Sequence, residues 1–150
     1  MDFLSEQQLI FTSKKYENIY KVLNKTIDVK YHDLFMLCAS IGFKNNRKKA
    51  VVEKGREFRS NYLSREQKAT AYSIILSDSE LGRKINKFED KEFILEARKA
   101  LEQYAEGGME ILVEEVFKSK WTGEILDENY SEYEVDIISY IYEQSQEIPF

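Results

Sequence analysis

The sequence predicts an all-α fold, a compact single-domain bundle of about six or seven helices. Three observations point there. The single proline, Pro149, stands next to the last residue, and there are only six glycines, so few breakers interrupt the chain. Apolar residues recur at helical spacing in one segment after another. Residues suited to capping precede several of those segments. The 150 residues, 43% of them hydrophobic, match one ordinary domain with a real core. No repeat, linker or low-complexity tract divides them.

Taken in order, Tyr16, Ile19, Tyr20 and Leu23 predict a first amphipathic helix from about Ser13 to Asn24. Asp28 is placed to cap a second helix, whose stripe is Tyr31, Leu34, Phe35, Cys38 and Ile41. Leu37 and Ala39 widen that stripe, so this helix is expected to be central and mostly buried. Gly42 is expected to end it by taking the left-handed conformation. Residues 50–63 fit either extended segments or a short helix around Gly55. Ser64 and Gln67 form a capping-box pattern ahead of Ala69, Tyr72, Ile75 and Leu76, predicting a helix to about Ser77. Ser79 is read as the cap of a short turn running from Leu81 to Ile85.

Asp90 precedes the clearest long helix, with Phe93, Ala97, Ala100, Leu101 and Tyr104 inside and Glu102 among the charged residues outside. Gly107-Gly108 is expected to break it, and Met109, Leu112, Val113, Val116 and Phe117 to restart a helix to about Lys118. The last helix is capped by Ser131 and is expected to bury Val135, Ile138, Ile141 and Tyr142.

Charge is unevenly distributed. From Lys44 to Lys68 nine residues are basic and three acidic, whereas from Gly123 to Phe150 eight are acidic and none is basic. The overall net charge is −5. The acidic end is suited to masking the basic segment, meeting a basic partner, or keeping the protein soluble.

Most catalytic chemistry lacks its residues. His32 and Cys38 are the only histidine and cysteine, too few for a transition-metal site, and no metal or cofactor is expected. On one helix they stand about 240° apart, so a Cys–His dyad is not formed. No Gly-rich phosphate loop is present. Glu110, Glu114 and Glu115, and likewise Glu89, Asp90 and Glu92, are close enough in sequence for a carboxylate site for Mg²⁺; solvated helix faces account for them more simply. Met1-Asp2-Phe3 lacks the cationic start of a secretory signal, and no apolar run approaches the ~20 residues of a membrane span. A reducing cytoplasmic setting is expected, with no membrane partner. The high Lys, Ile, Asn, Glu and Tyr content points to a prokaryotic or phage origin.

The strongest candidate for function is Leu34–Lys49, LFMLCASIGFKNNRKK. Its apolar helix delivers Lys44, Asn45, Asn46, Arg47, Lys48 and Lys49 to one place, a set suited to phosphate contacts that position a nucleic acid without reading its sequence. A solvated loop that balances the acidic end is the alternative. The C-terminal region supplies a second candidate, a protein-binding face made by Tyr130, Tyr133, Glu134 and Tyr140, since tyrosine joins large contact area to a polar tip.

LFMLCASIGFKNNRKK also resembles the opening block of a family of small proteins encoded beside bacterial DNA-phosphorothioation (Dnd) restriction systems. Tyr104-Ala105-Glu106-Gly107-Gly108-Met109-Glu110-Ile111-Leu112 is similar to a later block of that family. The two blocks span about half the chain and leave out the N-terminal part and the acidic tail. The resemblance implies a non-enzymatic accessory subunit in antiphage defence, working beside larger restriction, nuclease or ATPase components. It implies no catalytic residue set. A stand-alone nucleic-acid-binding regulator is the runner-up from the residues, and a carboxylate-dependent nuclease the third reading.

Overall fold

A computed structural model describes Leu4 and residues 8–87 and 90–146. The readings that involve Met1–Phe3, Glu89, Glu147 and Pro149 lie outside the described residues. Among the described residues, five α-helices are joined by short helical turns and by one two-stranded sheet. The mostly helical expectation holds, with fewer helices than expected and with a sheet that the all-α expectation does not include, extended segments being an alternative only for residues 50–63.

Strand β1 (Leu9–Ser13) pairs antiparallel with β2 (Lys54–Arg59), Ile10 opposite Phe58, with an irregularity between Phe11 and Ser13. A two-stranded sheet is marginal by itself. This one leans on a helix, as described below. Because β1 takes residues 9–13, helix α1 starts later than expected, at Glu17, and runs to Ile27. A single turn, Lys14–Tyr16, links the two. Asp28 ends α1 in the left-handed conformation, φ 55°, and Lys30 takes the cap position of the next helix. Asp28 therefore closes one helix and does not open the other.

Helix α2 (Tyr31–Lys44) buries Leu34, Phe35, Cys38 and Ile41 as expected. Gly42 does not stop it. The stop falls at Asn45 and Asn46: Asn46 is left-handed (φ 51°), its N–H bonds the Phe43 carbonyl at 3.0 Å, and the Arg47 N–H reaches back to Gly42 O at 2.8 Å. That pair of bonds is a Schellman closure with asparagine in the place usually taken by glycine. The Asn45 side chain caps a further carbonyl, Ile41 O, at 2.8 Å.

Helix α3 (Arg65–Ser77) opens with the expected capping box: the Gln67 N–H bonds Ser64 Oγ at 3.1 Å and the Ser64 N–H bonds Gln67 Oε1 at 2.8 Å. Its buried face is Ala71, Ile74 and Ile75, while Ala69 and Leu76 are exposed, so only Ile75 of the expected stripe is fully buried. Asp78, not Ser79, holds the following turn, accepting the Glu80 and Leu81 N–H groups at 3.0 Å each.

Helix α4 (Lys91–Leu112) runs unbroken through Gly107-Gly108 and passes into a wider turn over Val113–Phe117. The glycines do not break the helix; they let α2 cross it. A Cβ on Gly108 would overlap the Cys38 carbonyl oxygen, one on Gly107 that of Arg47, and one on Gly42 that of Tyr104. Helix α5 (Tyr133–Gln146) packs by Tyr133, Ile137 and Tyr140. Val135, Ile138, Ile141 and Tyr142, expected inside, lie outside. The aromatics explain the rotation. Tyr133 stacks edge-on against Phe117 (5.7 Å) and Tyr130 (4.9 Å), and its hydroxyl donates to Asp127 O at 2.6 Å.

Candidate functional site

The crossing of α2 and α4 brings together the two segments the sequence singled out. Residues 45–50 leave α2 and lie along α4, tied by the Lys49 N–H to Gln103 O at 3.0 Å. The cations of this loop meet carboxylates of the same chain. Arg47 donates from one terminal nitrogen, Nη1, to Glu110 and Glu114 at 3.0 Å each, bridging an acid of α4 and one of the wider turn that follows it. Lys49 approaches Glu110 at 3.8 Å. Lys44 donates to the Gln144 carbonyl of α5 at 3.0 Å. The Asn45 side chain and the Asn46 backbone close α2.

Lys48 has the most confined partner. Its ammonium lies 2.7 Å from Asp78 Oδ2, and the Asp78 side chain is 2% exposed. The Tyr104 hydroxyl donates to the same oxygen at 2.7 Å, and Lys48 sits over the Tyr104 ring at 5.0 Å. Burial by itself pushes the Asp78 carboxyl up. Lys48, the Tyr104 hydroxyl and two backbone N–H groups outweigh it and hold the carboxyl at about 2. Burial and the bond to Asp78 push the Tyr104 phenol well above its ordinary range.

Two more acids on α4 went unrecognised in the sequence. Glu102 and Glu106 are 8% and 7% exposed, although Glu102 was expected outside. Glu102 accepts the Phe11 N–H of β1 at 2.8 Å, and Arg98 donates to Leu9 O at 3.0 Å. These bonds occupy the α4 side of β1 and fix the sheet to the helix. Burial raises both carboxyls. Their signal was hidden because β1, which supplies the contact, was not read as a strand.

The tyrosines proposed for a partner mostly serve the fold. Tyr133 is 1% and Tyr140 8% exposed. Half-buried Tyr130 donates to Asp136 at 2.6 Å and carries Lys120 over its ring at 4.1 Å. Of that set only Glu134 is fully exposed. The surface α5 offers is apolar instead: Val135, Ile138, Ile141 and Tyr142. Cys38 is buried, with its thiol pushed up by that burial. His32 packs beside Phe58 and Tyr62.

No helix among the described residues is long and apolar enough to cross a membrane. No curated protein and no solved structure matches the chain. One family model does, that of DNA sulphur modification system-associated protein 4, over residues 10–138. The match contains both segments on which the resemblance rested. It also extends past them at each end, to take in most of β1 and the first part of α5.

Proposed function

The chain belongs to the family of DNA sulphur modification system-associated protein 4, and from that membership we propose that it is a non-enzymatic accessory subunit. It works in the cytoplasm of a prokaryote, docked on a larger component of the modification or restriction apparatus, and contributes to defence against foreign DNA. A nuclease or an ATPase is the component proposed.

The observation that carries this reading is the contrast between the two charged regions. Most of the cations expected to bind DNA already have partners within the chain: Arg47 and Lys48 are engaged with Glu110, Glu114 and Asp78, and half-exposed Lys49 approaches Glu110. A DNA phosphate would have to displace those partners. The C-terminal region keeps its acids and an apolar helix face at the surface. A surface of that kind favours a protein partner over a polyanion. Of the carboxylates proposed for a nuclease, Glu110 and Glu114 share Arg47.

Co-expression of the tagged chain with the other proteins of its DNA sulphur modification system tests the proposal. A larger component is expected to co-purify at moderate salt. A chain recovered alone at low salt, with every component co-expressed, would overturn it.

A further inference from the structure

We propose that the outer face of α5 is the docking surface for a basic amphipathic helix of a protein partner, an inference that rests on the accessory role and names the chemistry of its contact. Helix α5 carries two apolar stripes. The inner one, Tyr133, Ile137 and Tyr140, is buried. The outer one is open: Val135 is 56% exposed, Ile138 59%, Ile141 42% and Tyr142 64%. At 100° per residue these four fall within an arc of about 120°. Only Glu134 and Ser145 interrupt that arc.

A helix apolar on both sides belongs inside a larger core. Scattered exposed apolar residues need no explanation, but four on one arc mark an interaction site. The surface continues sideways into a groove of about 240 Å³ between α2 and α5, where Leu37 and Ile41 face Ile141 across the gap.

Charge selects the occupant. Between Gly123 and Phe150 there are eight acidic residues and no basic one. Glu134 lies within the arc and has no ion-pair partner among the described residues. The cation lining the groove, Lys44, is tied to Gln144 O at 3.0 Å. A nucleic acid or an anionic membrane would bring like charge to this face. A second copy of the chain would set acid against acid. A helix with an aliphatic ridge flanked by lysine or arginine buries the arc and pairs with Glu134.

Fluorescence anisotropy with the full chain tests this. The probes are two designed helical peptides with the same leucine ridge, one flanked by lysines and one by glutamates. The lysine-flanked peptide is expected to bind, the other not. Its affinity is expected to fall about tenfold in the Ile138→Ser/Tyr142→Ser variant and again in Glu134→Lys. These side chains are exposed, so circular dichroism should be unchanged. Equal binding of both peptides, no binding of the lysine-flanked one, or indifference to the variants would overturn the proposal. So would a wild-type dimer that Ile138→Ser/Tyr142→Ser dissociates, since a second copy would then occupy the face.

Co-purification separates this inference from the accessory role. System components recovered equally with wild type and with Ile138→Ser/Tyr142→Ser leave the role standing and remove the surface. Components absent even with wild type remove the role itself.

Discussion

Gly108 presses its backbone against the carbonyl of Cys38, and this contact sets how closely α4 and α2 cross. The added Cβ of Gly108→Ala would meet backbone, which has no rotamer to escape into. Overpacking of this kind is expected to cost about 3 kcal/mol. In a chain of this size that corresponds to a fall in Tm of about 10 °C, readable by thermal unfolding.

Lys48 and Lys49 are neighbours with different duties. Lys48→Ala strands the buried Asp78 carboxylate. The Tyr104 hydroxyl and two amides still hold that group, so the loss is expected near the lower end for a broken buried pair, about 3 kcal/mol. Lys49→Ala removes a long, exposed pair and should stay within about 0.5 kcal/mol. Urea titration distinguishes them. For DNA binding it follows that Lys44→Glu plus Lys49→Glu is the clean gel-shift variant, because loss of binding in a Lys48 variant would also report loss of fold.

The Asp78 carboxyl sits at about 2 in the folded chain against an ordinary 3.8. A depressed carboxyl stabilises the fold above its unfolded value and loses that contribution as pH falls through the folded one. Roughly 2 kcal/mol is therefore expected to disappear between about pH 4 and pH 2. Asp78→Asn, less stable at neutral pH, should show a correspondingly shallower acid limb in urea midpoints taken across that range.

Glu106 has the opposite sign. Burial, with Glu110 adding to it, outweighs Lys15 and raises its carboxyl. A raised carboxyl favours the protonated folded state, so its ionisation costs stability as pH rises through the folded value. Glu106→Gln is expected to raise Tm at pH 8, with the gain shrinking on acidification. A gain independent of pH would contradict the assignment.

What could be read from the sequence followed the range of the interactions. The Ser64–Gln67 box and the inner stripe of α2 depend on residues within a turn or two, and both were legible. Gly42 and Gly107-Gly108 were read as breakers because a glycine's local meaning is a stop. Their actual role, close approach, depends on backbone sixty or more residues away in the chain. Asp28 shows the same ambiguity at shorter range, since an aspartate between two helices can close one or open the next.

The site divided along the same line. The segments Leu34–Lys49 and Tyr104–Leu112 were singled out, and the fold joins them. Of the carboxylates that engage the cations, Glu110 belongs to the second of these segments, whereas Asp78 comes from elsewhere in the chain and left no local signal. On α5 both stripes are apolar, and periodicity has no means of choosing between them. Phe117, through its stacking on Tyr133, made the choice.

The central claim is that this protein meets its partner through α5 while its basic loop serves the fold. Amide hydrogen exchange on the chain alone and in complex with the co-purifying system component tests it most directly. Added protection is expected over Tyr133–Gln146 and the facing turn of α2, with residues 45–50 little changed. Protection confined to residues 45–50, with α5 exchanging as in the isolated chain, would contradict it.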